Sequence, residues 1–120
     1  GIQSVAPIFK RQQEGKIIII ASAAGLSLSS AWSAYSISKA AVLALTRVAA
    51  DELEAFDVQV NAVCPGAVAT HLSRNITRQT GEQFPREISP EAVASAVLDV
   101  VCPFDQTLTG KAIQVPTNRS

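Results

Sequence analysis

The stretch GKIIIIAS, residues 15–22, contains four consecutive isoleucines. It lacks the alternation of apolar and polar residues that marks a strand with one face in water. A continuous β-branched run is typical of a strand buried on both faces, as in a parallel sheet covered by helices. The run is far too short to cross a membrane. We therefore expect a buried strand over residues 16–21.

Helical patterns lie on both sides of this strand in the sequence. Residues 2–13 predict a first helix, which Gly15 should end. A second, longer helix is predicted from about Ser33 to Ala55, because this segment is rich in alanine and leucine. Its apolar positions recur at helical spacing and predict its apolar face: Ile37, Ala41, Leu45 and Val48.

Two further strands are predicted in the second half of the chain. DVQVNAVC, residues 57–64, has β-branched residues at alternate positions, and Pro65-Gly66 should end the strand. KAIQV, residues 111–115, predicts a short last strand after a turn. Between them, Ser89 and Pro90 form a good helix start, and this helix should run to about Val101. Residues 67–89 are polar and irregular, with no strong core signal.

The order of these elements is strand, helix, strand, helix, strand. Such an order predicts an α/β fold with a parallel sheet and right-handed crossover connections. The 120 residues suit one domain or part of one.

Composition excludes several classes of function. A hydrophobic fraction of 48% predicts a packed core, and a formal net charge of zero argues against nucleic acid as a partner. The first residues lack the features of a signal peptide, and no segment predicts a membrane span. Cys64 and Cys102 show no metal-ligand spacing, so we expect no metal site. We interpret both as reduced core residues in a cytosol-like, cytoplasmic setting, with a disulfide between them left open.

The segment AWSAYSISKAA, residues 31–41, places Tyr35 and Lys39 four positions apart. On a helix this spacing puts both side chains on one face. A phenol can transfer protons, and a cation held nearby favours its charged form. The pair alone also fits a half-buried tyrosine beside a lysine that extends into solvent.

Two other segments favour a catalytic role for this pair. Ser22 directly follows the isoleucine strand, and Pro65-Gly66 follows the next strand. The carboxyl ends of parallel strands meet at one edge of the sheet, where ligands bind in open α/β folds. We therefore expect these residues to converge on one crevice with Tyr35.

Three blocks together resemble the short-chain dehydrogenase/reductase superfamily: GKIIIIASAAG (15–25), AYSISKAAV (34–42) and VNAVCPGAVAT (60–70). The resemblance covers most of the chain and implies the C-terminal half of a doubly wound Rossmann-type fold. It implies an oxidoreductase that interconverts an alcohol and a ketone or aldehyde, such as a 3-oxoacyl or small carbonyl compound, with NAD or NADP. It also implies a homodimer or homotetramer.

The resemblance also implies a role for each matching residue. Ser22 would bind the oxygen of the carbonyl or alcohol, and Tyr35 would be the general acid or base. Lys39 would bind the nicotinamide ribose and favour the charged form of the tyrosine. Pro65 and Gly66 would shape a loop against the nicotinamide. The backbone of Val68 and the hydroxyl of Thr70 would bind its carboxamide.

The sequence departs from the family in lacking a glycine-rich strand-to-helix turn, which binds the dinucleotide. We therefore expect residues 1–120 to be the catalytic half of the domain, insoluble or dimeric and poorly active by itself. An alternative is an inactive, truncated chain that serves as an oligomerisation module through the small residues Ala40 and Ala44. An epimerase or dehydratase with the same tyrosine and lysine is disfavoured by the Pro65-Gly66 loop.

Other residues have simpler interpretations. A hydrolase triad of Ser22, His71 and an aspartate is disfavoured, since no Gly-x-Ser-x-Gly turn is present, and a solvated histidine is expected. Trp32 either lines the substrate pocket or packs the loop, and both alternatives stay open. Asn61 should bridge backbone groups. Residues 71–88 should form a flap over the substrate or a plain loop.

Overall fold

The computed structural model describes residues 1–28, 30–84, 86–102 and 107–116. These residues form four helices and three strands, with short 3₁₀ turns at Ala23–Gly25, Ser30–Trp32 and Glu54–Phe56. In chain order they are α1 (Ile2–Gln12), β1 (Gly15–Ile20), α2 (Ser33–Leu53), β2 (Val58–Cys64), α3 (His71–Thr80), α4 (Pro90–Val101) and β3 (Ala112–Gln114). The predicted α/β order is confirmed, and α3 is an additional helix.

The sheet has the order β1-β2-β3, and both pairings are parallel, as predicted. The register pairs Gly15 with Val58 and Ala62 with Ala112. All seven residues of β2 are buried, because this strand has a hydrogen-bonded neighbour on each side and helices over its faces. The carboxyl ends of β1 and β2 therefore lie side by side.

Strand β1 is less buried than its isoleucines predict. Ile17 and Ile19 pack against one core cluster and Ile18 against another, so both faces do have apolar contacts. None of the four isoleucines is fully buried, however, and Ile20 is 49% exposed. In the described part of the chain β1 pairs only with β2, and its outer edge is uncovered. The predicted strand is therefore present with apolar contacts on both faces, but it is only partly buried.

Gly15 does not end helix α1, contrary to the prediction. The helix ends at Gln12, and Gln13 adopts a left-handed conformation with φ 55°. Gly15 instead opens β1 beneath the Phe9 ring, where a β-carbon would lie 2.4 Å from a ring atom. The glycine is needed here because any larger side chain would collide with Phe9.

Helix α2 turns a different face to the sheet from the one predicted. Its buried residues are Ser36, Leu43, Thr46, Ala49, Ala50 and Leu53. Ile37, Leu45 and Val48 are 65%, 51% and 54% exposed, so the predicted apolar stripe faces away from the core. Small residues such as Ala49 and Ala50 let the helix approach the sheet closely, which the spacing of large side chains could not reveal.

Residues 67–89 are more ordered than predicted. They contain helix α3, and Val68 forms a parallel bridge with Ile88, which is 6% exposed in a core cluster. Helix α4 begins at Pro90 as predicted, and the Ala92 N–H donates to the Ser89 hydroxyl at 3.2 Å. Pro103, beyond the end of this helix, lies outside the described residues.

The two cysteines differ in their surroundings. Both are free thiols, and Cys64 is fully buried as predicted. Cys102 is exposed at the end of α4, so its prediction as a core residue was wrong. Within the described ranges, no three metal-ligating side chains come together, and no helix is long and apolar enough to span a membrane.

Candidate active site

The loops that follow β1 and β2 are joined by backbone hydrogen bonds. The Ala21 N–H donates to Val63 O and the Ala23 N–H to Pro65 O, each at 2.8 Å. Ser22 lies between these two bonds and is 8% exposed. Its hydroxyl accepts the Ala24 N–H at 3.2 Å. The parallel strands thus bring Ser22 and Pro65-Gly66 together, as expected.

Gly25 brings the Ser22 loop against helix α2. A β-carbon at this position would lie 2.7 Å from the carbonyl carbon of Lys39 and 3.0 Å from Ala40 N. Such distances are shorter than van der Waals contact, so only glycine allows this approach. The position of Lys39 relative to Ser22 therefore depends on the absence of a side chain at residue 25.

Tyr35 and Lys39 lie one turn apart at the start of α2, as predicted. The Lys39 ammonium nitrogen lies 5.7 Å from the centroid of the Tyr35 ring. Tyr35 is 42% exposed, and the Ser38 hydroxyl donates to its backbone carbonyl at 2.7 Å. The phenol is therefore open to a ligand while a cation lies beside it.

A pocket of about 380 Å³ opens at the carboxyl edge of the sheet. Its lining includes the predicted residues Ser22, Tyr35, Pro65, Gly66, Val68 and Thr70. Its other lining residues are Ala21, Ala24, Trp32, Ala67, Leu72, Ser73, Ile76 and Phe84. Lys39 does not line the pocket, and it reaches the site through its position beside Tyr35. One pocket therefore collects residues from four separate segments of the chain.

Helix α3 forms a wall of this pocket that the sequence analysis missed. Leu72, Ser73 and Ile76 line the pocket from α3, and Phe84 does so from the segment after it. A capping box at the start of α3 pairs Thr70 with Ser73, and Gly81 ends the helix in a left-handed conformation. These capping residues were the signals that could have revealed the helix.

Val68 and Thr70 keep hydrogen-bonding groups that a ligand could use. The bridge to Ile88 uses Ala67 O and Ala69 N, and neither bond involves the N–H or C=O of Val68. The Thr70 hydroxyl accepts the Ser73 N–H at 3.5 Å, which leaves its hydrogen free to donate.

Buried groups beneath the pocket are structural. The Asn61 side chain donates to Leu108 O at 2.7 Å and accepts the Lys111 N–H at 3.0 Å, so its predicted bridging role is confirmed. Burial raises the pKa of the Cys64 thiol, against a smaller opposing effect from a hydrogen bond with the Ser22 backbone and from the Lys39 charge.

His71 is exposed and does not line the pocket, which agrees with a solvated histidine.

Comparison with known proteins agrees with this arrangement. The profile of the short chain dehydrogenase family matches residues 1–81. The chain belongs to the short-chain dehydrogenase/reductase family. Its elements occupy the positions expected for part of that family's Rossmann-type fold.

Individual members of the family share the chain's sequence and fold. An uncharacterised oxidoreductase of Bacillus subtilis, YxjF, is 38% identical over 112 residues, which cover 93% of this chain and 43% of the relative. A 3-oxoacyl-[acyl-carrier-protein] reductase of Synechocystis is 33% identical over 117 residues, with coverages of 94% and 47%. The structure of an actinorhodin polyketide ketoreductase with NADPH superposes with a TM-score of 0.79 at 26% identity, with coverages of 88% and 47%. The chain thus spans about half the length of the curated relatives it matches.

Proposed function

We propose that this chain carries the catalytic residues of an NAD- or NADP-dependent oxidoreductase that interconverts an alcohol and a ketone or aldehyde. The supporting observation is one pocket that holds the hydroxyls of Ser22 and Tyr35, with the Lys39 ammonium beside the tyrosine ring. Family membership supports the same reaction class.

Ser22 is proposed to hold the substrate oxygen. Its hydroxyl oxygen already accepts the Ala24 N–H, so its own hydrogen remains available. A hydroxyl hydrogen donated to a carbonyl oxygen polarises the carbonyl and fixes its position. The same contact would stabilise negative charge on that oxygen during the reaction.

Tyr35 is proposed to move the proton. In reduction its phenol donates a proton to the substrate oxygen, and in oxidation its phenolate accepts one. The Lys39 ammonium, 5.7 Å from the ring centroid, balances the negative charge that the tyrosine carries after its proton leaves. The lysine retains further donors for the hydroxyls of a coenzyme ribose.

We propose that the nicotinamide of the coenzyme binds on the side of the pocket formed by the loop after β2. Pro65 and Gly66 line the pocket there, while Val68 and Thr70 offer the free backbone and hydroxyl groups that an amide needs. When bound, the coenzyme supplies or accepts the hydride. The polyketide ketoreductase solved with NADPH supports this choice of coenzyme class.

Tyr35→Phe tests the mechanism in the protein as the cell makes it. The change removes only the phenolic oxygen, so turnover should fall by about a hundredfold or more while coenzyme affinity stays within about threefold. Steady-state kinetics and coenzyme titration separate the two effects. Ser95→Ala, an exposed change on α4, is the control. Turnover above a third of the unaltered rate in Tyr35→Phe would contradict the mechanism.

We also propose that residues 1–120 form the catalytic half of a larger Rossmann-type domain. The chain covers 43% and 47% of two curated relatives, and among the described residues no strand pairs with the outer edge of β1. The purified 120-residue polypeptide should then show little nicotinamide-dependent turnover. Ready turnover by that polypeptide alone would contradict this proposal.

A second function, oligomerisation through α2, is favoured by the exposed apolar residues Ile37, Leu45 and Val48. Ala44, one of the two small residues predicted to contact a partner helix, is also exposed, whereas Ala40 is half-buried. We propose that a second copy of the chain covers this stripe in a homodimer or homotetramer. Leu45→Glu should lower the molar mass measured by light scattering, whereas Leu98→Glu, a matched change on α4, should not. A monomeric unaltered protein would exclude the interface.

A cytoplasmic location is proposed because both cysteines are free thiols, which suits a reducing compartment. Recovery of the native protein in the soluble cytoplasmic fraction of its host cell tests this. Recovery outside the cytoplasm would contradict it.

A further inference from the structure

We propose that the pocket selects an uncharged carbonyl compound that carries an aromatic group next to the reacting carbon. This inference rests on the proposed oxidoreductase function and adds the class of substrate. The feature responsible is an aromatic wall, formed by the pocket-lining residues Trp32, Tyr35 and Phe84.

The aromatic wall gathers rings from distant parts of the sequence. The chain has one tryptophan, one tyrosine and four phenylalanines, and both single residues and one phenylalanine meet here. The Trp32 and Tyr35 ring centroids are 6.3 Å apart in an edge-on arrangement at 70°. Trp32 and Phe84 are also 6.3 Å apart, with their planes tilted by 39°. These are the separations at which aromatic rings attract one another, and a substrate ring could extend the group.

A hydrogen bond fixes the central ring of this wall. The Trp32 indole N–H donates to the Glu82 carboxylate at 2.9 Å. Trp32 precedes α2 and Glu82 follows α3, so the bond joins the start of α2 to the segment after α3, which contributes Phe84 to the pocket. Because the Trp32 ring is already held in place, a ligand does not have to order it on binding. Less of the free energy gained from the apolar contact is then lost to conformational entropy.

Aliphatic side chains line the pocket as well. Leu72 is 65% exposed and lines the pocket from α3, together with the half-buried Ile76. A leucine this exposed gains from burial when an apolar group of the substrate covers it. An aromatic group in the pocket would thus contact both aromatic rings and aliphatic side chains.

The lining opposes a charged substrate. Among the described residues that line the pocket there is no aspartate, glutamate, lysine, arginine or histidine. The Ser73 hydroxyl is already used by the backbone of Thr70, at 3.2 and 3.0 Å. A carboxylate on the substrate would lose water without gaining a counter-ion among these lining residues. It would also approach the Glu82 carboxylate that holds Trp32, and like charges repel.

The test measures how fast the protein, as the cell makes it, reduces each of three ketones with NADH or NADPH as the reductant. They are 1-phenyl-1-propanone, its 4-carboxylate, and butanone. We expect kcat/KM for the phenyl ketone to exceed each of the other two by about tenfold or more, mainly through KM. Trp32→Ala should reduce the ratio of phenyl ketone to butanone kcat/KM by about tenfold, and Leu98→Ala should leave that ratio unchanged.

Further variants keep the test decisive if Trp32→Ala does not fold. Trp32→Phe keeps a ring but loses the bond to Glu82, so it should retain most of the preference, whereas Phe84→Ala should reduce it. Turnover that favours butanone or the carboxylate would overturn this inference and leave the proposed reaction standing. Absence of turnover with every ketone and the corresponding alcohols would overturn both.

Discussion

A β-carbon at Gly25 would lie 2.8 Å from the backbone carbonyl oxygen of Lys39. This contact joins the loop that carries Ser22 to the helix that carries Tyr35 and Lys39. The separation of the proposed catalytic groups therefore depends on a backbone-to-backbone approach that only glycine permits.

Gly25→Ala should push the Ser22 loop away from α2. We expect a loss of about 1–3 kcal/mol in the free energy of unfolding, since overpacked sites relax only in part. Turnover should also fall, because Ser22 moves relative to Tyr35. Urea denaturation and steady-state kinetics measure the two effects.

Gly110→Ala is a matched control for this change. Gly110 has φ 68° and lies next to Ala50, away from the pocket, so alanine there is strained by about 1–2 kcal/mol. Gly110→Ala should lower the free energy of unfolding by about as much as Gly25→Ala, while the fraction that stays folded keeps its turnover. Equal effects of both substitutions on turnover would contradict a special role for Gly25.

Asn61→Ala should destabilise the protein by about 2–4 kcal/mol. Asn61 is 2% exposed, and its loss leaves Leu108 O and the Lys111 N–H without their partner, each a costly buried group. Chemical denaturation measures the change. Gln114→Ala, an exposed change on β3, should stay within about 0.5 kcal/mol. A comparably small effect at Asn61 would mean that water replaces its bonds.

The two thiols should differ in their reaction with maleimide near neutral pH. Cys102 is exposed and should react readily, whereas fully buried Cys64 should react only after unfolding. Mass spectrometry of the two cysteine peptides measures each rate. Equal rates in the folded protein would show that the core around Cys64 opens freely.

Burial of Cys64 should also make the stability of the folded protein depend on pH. Its pKa in the folded protein is raised above the ordinary value of 9.0, so folding favours the neutral thiol. The resulting stability is fully present below that ordinary value and is lost as pH rises through the raised pKa. The melting temperature should therefore fall at alkaline pH, and Cys64→Ala should weaken this fall. An unchanged pH profile in the variant would assign the effect to other groups.

Ser73→Ala should loosen helix α3 without unfolding the domain. The Ser73 hydroxyl accepts the Thr70 N–H at 3.2 Å and donates to Thr70 O at 3.0 Å. Its removal should cost about 1 kcal/mol, as is typical for a helix cap, and speed amide exchange over residues 71–80. Exchange there should stay unchanged in Ser95→Ala. If the two variants exchange alike, the cap does not hold the helix.

The order of elements along the chain, the parallel direction of the strands and the convergence of Ser22, Tyr35 and Pro65-Gly66 could be predicted from the sequence. Parallel α/β connections leave few arrangements, so the edge of the sheet at which the loops meet follows from element order alone. Helix α4 was also predictable, because Ser89 and Pro90 form a strong local start signal.

Burial could not be predicted as well, because it depends on which neighbours each element has. The isoleucines of β1 have the composition of a central strand, but the described structure gives this strand one neighbour. Leu45 and Val48 have the spacing of a core face, yet the small residues Ala49 and Ala50 face the sheet. Helix α3 was not predicted because its residues are mostly polar and give no clear apolar periodicity. The helix is stabilised instead by its caps and tertiary contacts.

The register of β2 also has a consequence for how the chain folds. This strand has partners far before it in β1 and far after it in β3, and none nearby in sequence. Its hydrogen bonding cannot be completed until residues 112–114 have been synthesised. Sheets built from such distant pairings form slowly. During translation, the pairing of the apolar central strand β2 can therefore be completed only after the three-residue strand β3 has been made.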